Sequence, residues 1–296
     1  AQQAILSGDA EIIIAGGQES MTNAPYILQK ARNGYKLGNS TLYDSILLDG
    51  LTDAYDNVHM GTCAEATAKE FSFLRNELDE FAILSYKRAI EAQKLNLFND
   101  ELTPIKISSK QGETIIDYDE EPSRVNFDKI PTLKPVFDKN GVVTAANASS
   151  INDGASALLI MSEEKAIELG LTPIAEIIAQ ASAAKEPVQF TTAPADAITK
   201  LLKKVNLPID AIGLFEINEA FAVVSLAVNK ILGLTSENVN IKGGAVALGH
   251  PIGASGARIL TTLLHSMKQK DVEYGVASLC IGGGEASAIL VKSYKK

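Results

Sequence analysis

Two glycine-rich segments near the C terminus constrain the fold of this chain more than any other feature. The first reads GGAVALGH over 243–250 and continues as PIGASGAR over 251–258. The second begins thirty residues after His250, with Cys280-Ile-Gly-Gly-Gly-Glu. Glycine tolerates positive φ and leaves space for another molecule against the backbone. A histidine and a cysteine on two such loops therefore indicate acid–base groups placed where a ligand approaches the main chain.

A structural role is the alternative for His250, because a lone histidine is commonly satisfied by the backbone. Here the residue lies between Gly249 and Pro251, on a loop that leads into a predicted helix. The N-terminal end of a helix stabilises a developing negative charge. We therefore interpret His250 as catalytic, and His265, in the middle of the same predicted helix, as structural.

For Cys280 the alternative is an inert buried thiol, the commoner fate of a free cysteine. The three glycines that follow, Gly282–Gly284, favour a catalytic role, since such a bare backbone can present N–H donors to an oxyanion. The other cysteine, Cys63, has no such setting and is predicted to pack on a helix.

Composition excludes several classes of function. The chain has 296 residues, 46% of them hydrophobic, and the 27 basic and 36 acidic residues give a net charge of −9, which argues against a general nucleic-acid binder. No apolar run approaches the ~20 residues that cross a bilayer. Two cysteines in different contexts predict a reducing compartment, the cytoplasm or alternatively the mitochondrial matrix. The three histidines and two cysteines are too far apart in sequence to predict a metal site.

Strand-like and helix-like segments alternate along the chain, which predicts an α/β fold. Ala10–Ala15 is predicted as a buried strand that ends at Gly16-Gly17, and the pattern changes over 20–149, where helices are predicted around 64–71 and 77–95. The alternation resumes at Gly154. Strands are predicted at 155–161, 174–182, 212–217, 274–280 and 286–292, and helices from Ser162 to Gly170 and at 196–205, 220–232 and 254–268.

The motif Gly-His-Pro-Ile-Gly at 249–253, the motif Cys-Ile-Gly-Gly-Gly at 280–284 and Asn-Glu-Ala-Phe-Ala at 218–222 together resemble the thiolase family. The resemblance implies a five-layered αβαβα fold made of two similar halves, here with an incomplete N-terminal half. Residues 1–19 and 150–170 would belong to that half. Residues 20–149 would be an inserted α+β loop domain that covers the site and binds coenzyme A, and 171–296 the C-terminal half.

The resemblance also implies roles for individual residues. The acyl-accepting cysteine of the family would lie upstream of Ala1, so we expect an incomplete form that is inactive alone. His250 would generate the thiolate of that cysteine, and Cys280 would move the α-proton. Asn218 would orient a water that, with His250, stabilises the enolate oxygen, and the N–H of Gly282 would form half of a second oxyanion hole. For Asn218 the alternative is a helix N-cap, with the next residues as the first helical turn.

Nine further residues match substrate-binding positions of the family. Ser149 matches a serine that contacts the pantetheine arm, and Arg124 lies in a basic stretch near the expected nucleotide phosphates. Leu51 matches a residue beside the adenine end. The others form the expected walls and acyl pocket: His59, Met60, Phe137, Phe190, Ala220 and Phe221. Coenzyme A would be a substrate, with no permanently bound cofactor. Some members use potassium near Ala145–Ala148, but Pro122 stands where they carry a liganding tyrosine.

The dipeptide His59-Met60 favours a short-chain enzyme, because the methionine side chain would shorten the acyl pocket. The expected activity is reversible condensation of two acetyl-CoA molecules to acetoacetyl-CoA and CoA, by a homodimer or homotetramer that binds neither nucleic acid nor membranes. One alternative is a 3-ketoacyl-CoA thiolase of broader chain length. The other, from a different class, is a truncated, non-catalytic thiolase-like chain that only pairs with partners.

Overall fold

The computed structural model describes residues 1–110 and 112–294, in which helices and strands alternate as predicted. The helices are α1 Gln2–Leu6, α2 Met60–Glu70, α3 Arg75–Lys94, α4 Glu121–Arg124, α5 Glu163–Glu168, α6 Ala193–Val205, α7 Ala222–Leu232, α8 Ala245–Leu248 and α9 Ile252–Lys270. The strands are β1 Ile12–Ser20, β2 Tyr26–Leu28, β3 Leu42–Asp44, β4 Ile105–Ser109, β5 Gly112–Ile116, β6 Asp153–Met161, β7 Ala175–Ala184, β8 Leu214–Ile217, β9 Tyr274–Ile281 and β10 Glu285–Ser293.

The first strand is longer than predicted, and it is not buried, since Ile12 and Ile14 are 43% and 75% exposed. β1 continues through Gly16 and Gly17 to Ser20 and pairs antiparallel with β6 along its whole length. A Cβ at Gly16 would overlap the carbonyl oxygen of Ser156, and one at Gly17 would overlap that of Gly253. These glycines therefore permit close backbone approach inside a strand, and the prediction that the strand ends there was wrong.

The second sheet has the strand order β7-β10-β9-β8. β8 and β9 are parallel, and β10 is antiparallel to both β9 and β7. In the parallel pair Ile217 lies opposite Ser278. Asn218 follows the end of β8 and Cys280 lies near the end of β9, so both catalytic candidates stand at the carboxyl ends of neighbouring parallel strands. In open α/β sheets this is the edge where ligands bind.

Helix α9 contacts both sheets, with β1 and β6 on one side and β8 and β9 on the other. It begins directly after His250 and Pro251, and Gly253 in its first turn lies against the backbone of β1. Its buried residues, among them Ile259, Leu263 and Met267, form a core with Leu214 and Ala277 of the sheet.

Helix α7 begins two residues later than predicted. Phe221 is extended, with φ −143° and ψ 151°, and forms an isolated antiparallel bridge with Ala148. The N–H of Ala222 donates to the carbonyl oxygen of Asn147 at 2.8 Å. Because these bonds hold Phe221 against segment 147–149, the first helical residue is Ala222, and Asn218 is not an N-cap.

Candidate active site

Asn218 and His250 meet at the carboxyl end of β8. The distance between Asn218 Nδ2 and His250 Nε2 is 3.2 Å. Asn218 is fixed at this point by its own N–H, which donates to Ser278 O at 3.0 Å. Its Oδ1 is buried and has no hydrogen-bond partner among residues 1–110 and 112–294. The two predicted catalytic residues are thus neighbours, with one acceptor of the amide still available.

Ser255 determines which nitrogen of His250 carries the proton. The Ser255 hydroxyl lies 2.6 Å from His250 Nδ1 and donates to Pro251 O at 2.9 Å. A hydroxyl has one proton, so Ser255 must accept from Nδ1–H. We therefore assign the Nδ1–H tautomer, which leaves a lone pair on Nε2. His250 is arranged as a base that acts through the nitrogen facing Asn218.

The main chain of His250 is held equally firmly. Its N–H lies 3.2 Å from Ser150 O and 3.1 Å from Asn152 Oδ1. Gly249, with φ +91°, is required because a Cβ there would overlap the Asn152 amide. The glycine before the histidine therefore serves a close contact within the chain, between the loop at 243–250 and the segment at 147–152.

The two candidate acid–base groups are both neutral at pH 7. Burial, with a smaller effect from the Arg258 guanidinium, lowers the pKa of His250 to about 4. Burial raises the pKa of the Cys280 thiol to about 12. The imidazole is thus ready to accept a proton and the thiol ready to donate one, and environments that push two pKa values apart assign base and acid roles.

The three positions after Ile281 are occupied by glycine for different structural reasons. Gly284 has φ +88°, and a Cβ there would overlap Lys185 O, so it serves chain packing. A Cβ at Gly283 would lie 3.8 Å from the ring of Tyr55. At Gly282 no described atom lies within 4 Å of the Cβ position. Gly282 is exposed, and its open surroundings suit a residue beside which a ligand lies.

Four predicted binding residues lie together in a row that leads to the loop after β8. The ring of His59 stacks on Phe137 at 4.6 Å between centroids, and Phe137 meets Phe221 edge-on at 6.3 Å. Ser149 donates from its hydroxyl to Ala220 O at 2.9 Å. The side chain of His59 also accepts from the N–H of Gly61 at 2.9 Å and so caps α2. Ala220, the fifth predicted residue of this region, lies beside Phe221 and receives the Ser149 bond.

Three more predicted residues adjoin this row. The N–H of Met60 donates to Leu51 O at 2.9 Å. Met60 and Phe190 are 7% and 3% exposed and belong to one apolar cluster with Phe221 and Cys280. Arg124 is different: it is exposed on α4, where its guanidinium pairs with Glu120. Its predicted contact with the nucleotide phosphates stays a prediction.

The sequence interpretation missed Ser255, Asn152 and Ser150, which orient His250. Ser255 lies one helical turn into α9, and that position was the available signal. Within the described part of the chain, no group of three His, Cys, Asp or Glu side chains has a geometry that holds a metal ion. Pro122 is buried, and the expectation about potassium stays a prediction. Across residues 1–110 and 112–294, no helix has the length and apolar character needed to cross a membrane.

Comparison with known proteins places this arrangement in a family. Residues 1–164 match the model of the thiolase N-terminal domain, and residues 171–293 match that of the thiolase C-terminal domain. The finer boundaries predicted above, at 19, 149 and 170, stay a prediction. The chain is 51% identical over 292 residues to an acetyl-CoA acetyltransferase of Schizosaccharomyces pombe, covering 98% of this chain and 74% of the relative.

Solved structures of thiolases also resemble this chain. Acat5 thiolase from Ascaris suum, crystallised in complex with coenzyme A, is 46% identical and superposes with a TM-score of 0.92 over 99% of this chain and 74% of the other. Human mitochondrial 3-ketoacyl-CoA thiolase is 39% identical, with a TM-score of 0.95 over 99% and 74%. The fold is the thiolase fold, and the chain belongs to the thiolase family.

Proposed function

We propose that this chain carries the acid–base machinery of an acetyl-CoA C-acetyltransferase, which condenses two acetyl-CoA molecules to acetoacetyl-CoA and CoA and catalyses the reverse thiolysis. The observation that supports this most is the series of hydrogen bonds that joins Asn218, His250 and Ser255 and leaves His250 Nε2 unprotonated. This nitrogen lies at the same edge of the sheet as the neutral, buried thiol of Cys280. A base and an acid at one edge are what the two proton transfers of thiolysis require.

In thiolysis, Nε2 of His250 takes the proton of the acyl-accepting thiol, whose sulfur attacks the keto carbonyl carbon of acetoacetyl-CoA. The bond between that carbon and the α-carbon breaks, and its electron pair stays on the α-carbon as the acetyl-CoA enolate. Cys280 donates its proton to the α-carbon of this enolate. The Cys280 thiolate then takes the proton of an incoming CoA thiol, whose sulfur attacks the acyl thioester, and the released thiolate recovers its proton from His250.

Two groups stabilise the oxyanions of these steps. Asn218 holds a water that, with His250, contacts the enolate oxygen; its buried Oδ1 and its Nδ2 supply an acceptor and a donor for this purpose. The N–H of Gly282 is directed to the oxygen of the acyl intermediate, and the open space beside Gly282 supports this role.

The acyl acceptor in this proposal lies outside residues 1–296. Cys63 is fully buried in α2, where burial and the carboxylates Asp53 and Asp56 raise its pKa, so it is a poor nucleophile. Cys280 transfers the α-proton in this proposal and therefore does not serve as the acyl acceptor.

The acyl pocket favours short chains in this proposal, since Met60 and Phe190 are buried in one apolar cluster with Cys280. A 3-ketoacyl-CoA thiolase of broader chain length is the second candidate, supported by the structural similarity to the human mitochondrial enzyme of that name. We further propose a homodimer or homotetramer in the cytoplasm, with the mitochondrial matrix as the alternative.

A thiolysis assay tests the proposal. The 296-residue chain is compared with an N-terminally extended protein, in which the segment of the Schizosaccharomyces pombe relative that precedes the matched region is joined to Ala1. Consumption of acetoacetyl-CoA by CoA should occur only in the extended protein and should be lost on His250→Ala. Turnover by the 296-residue chain alone would contradict the external acceptor. Full activity of the His250→Ala protein would contradict the assigned base.

A further inference from the structure

Glu219 is a buried carboxylate beside Asn218 that takes part in none of the steps above. It is 1% exposed. Its Oε2 accepts from the Ser85 hydroxyl at 2.7 Å and from the Val246 N–H at 3.2 Å, and its Oε1 accepts from Asn240 Nδ2 at 2.9 Å. All three partners donate, which matches an ionised carboxylate because that group only accepts. Burial raises its pKa, and these hydrogen bonds oppose the shift.

The three partners belong to three different segments. Ser85 lies on α3, and its hydroxyl oxygen also accepts a hydrogen bond from the N–H of Gly244 at 3.1 Å. The single proton of this hydroxyl is therefore donated to Glu219. The Asn240 amide bonds both the N–H and the carbonyl of Ile217 at 2.8 Å, which fixes the end of β8 just before Asn218. Val246 lies in α8, which ends two residues before His250. Glu219 therefore joins α3 to the segments that carry Asn218 and His250.

The glycine pair at 243–244 is explained by the same cluster. A Cβ at Gly244 would overlap the carboxyl group of Glu219. Gly243 has φ +80°, and a Cβ there would lie 2.5 Å from Ser85 O. The first two glycines of the histidine loop are thus required by the packing of Glu219 and Ser85 against the loop.

We propose that Glu219 is a positioning residue, whose bonds to Ser85, Asn240 and Val246 keep the Asn218 amide and the His250 ring at hydrogen-bond distance. The charge is needed as well as the shape. A glutamine of the same size would turn an NH₂ group toward one of these donors, and a buried donor facing a donor is strongly unfavourable. The kinetic consequence rests on the proposed function, whereas the geometric one does not.

Glu65 offers a matched control. It is also a glutamate that accepts backbone N–H groups, from Val142 at 2.9 Å and Val143 at 2.8 Å, and a Cβ at Gly141 would overlap it. None of these residues bonds Asn218 or the loop at 243–250. Glu65→Gln therefore imposes the same chemical change at a half-buried carboxylate elsewhere in the chain.

The first measurement is the ¹⁵N spectrum of labelled histidines in the N-terminally extended protein. The unsubstituted protein should show His250 as the Nδ1–H tautomer with a distinct, unprotonated Nε2. In Glu219→Gln the two ring nitrogens should move toward the averaged shifts of an imidazole that exchanges tautomers, and in Glu65→Gln they should not. Unchanged His250 signals in Glu219→Gln would overturn the proposal, whatever the activity of the protein.

The second measurement separates positioning from stability. Glu219→Gln should lower kcat for thiolysis about 10²-fold, the effect of losing one oxyanion-hole donor, with KM changed by less than about threefold. Glu65→Gln should lower Tm yet keep kcat within about twofold. Ser85→Ala, which removes a single donor and disturbs folding less, should lower kcat about tenfold. Wild-type kcat in both Glu219→Gln and Ser85→Ala, or an equal loss in Glu65→Gln, would overturn the role. An inactive parent protein would contradict the proposed function only, and the histidine spectrum would still decide the role of Glu219.

Discussion

The segments that carry His250 and Cys280 hold these two side chains in opposite ways. The imidazole is bonded at both nitrogens, by Ser255 and Asn218, and its backbone N–H faces Ser150 O and the Asn152 amide. Cys280 instead lies in a strand ladder opposite Ala286 and is 9% exposed within an apolar cluster. A base must present one particular lone pair, so it needs orientation. A thiol that serves as an acid needs only to stay protonated, and burial achieves that without a partner.

The contrast predicts its largest effects for removal of the two side chains. In the N-terminally extended protein, Cys280→Ala should abolish condensation while the acceptor still becomes acylated, because Cys280 handles the α-proton and not the attack. His250→Ala should impair both half-reactions. The loss for a positioned acid or base is ~10²–10⁴ in rate. Burst-phase acylation and steady-state condensation, measured on both variants, check this; normal condensation by Cys280→Ala would remove its assigned role.

Orientation of the base gives the next largest effect. Ser255→Ala removes the acceptor of Nδ1–H, so the ring is free to place its proton on Nε2, where it blocks the base. We expect kcat for thiolysis to fall about 10²-fold, with KM nearly unchanged. Thr262→Ala is the control, since Thr262 is a buried hydroxyl of the same helix that bonds Glu101 and not His250. Equal losses in the two variants would show that the effect is general damage to α9.

A third effect concerns pH. The pKa of His250 is lowered to about 4 and that of Cys280 is raised to about 12, so both groups keep their resting proton state between these values. The thiolysis rate should therefore be flat from about pH 8 to pH 5. An imidazole with the ordinary pKa of ~6.5 would instead lose activity about 30-fold over this range. A kcat/KM profile with an acid limb near pH 6.5 would show that the imidazole is not desolvated.

The sequence was sufficient to predict that both glycine-rich segments carry candidate catalytic residues, because the glycines lie next to the histidine or the cysteine in the sequence. Helix α9 and strands β8, β9 and β10 were also predicted, from their apolar runs and periods, whereas helix α8, Ala245–Leu248, was not. Asn218 was placed beside His250 only through the family resemblance, because the two are 32 residues apart and His250 is held in place by the segment that carries Ser150 and Asn152.

What was missed depends on tertiary contacts. Glu219 had the appearance of a residue in a helical first turn, and its partners lie on α3, at Asn240 and on α8. The true end of β1 was hidden because Gly16 and Gly17 are strand residues pressed against β6 and α9. In a sequence, glycine predicts the end of a helix or strand. Its role in close packing can be recognised only when the position of the neighbouring backbone is known.

The smallest effect concerns Met60, which belongs to the same large apolar cluster as Cys280. We propose that Met60 closes the acyl pocket, so Met60→Ala should create space that a longer acyl chain fills. Each additional buried methylene contributes ~0.8 kcal/mol, so two should shift kcat/KM about tenfold toward a C6 ketoacyl-CoA. Cys63→Ala, on the same helix and fully buried, is the control for a core void. If Met60→Ala lowers Tm as Cys63→Ala does and leaves the C4/C6 ratio unchanged, Met60 is ordinary core. The apolar environment would then protect the thiol without setting chain length, and the broader-chain enzyme would become the better candidate.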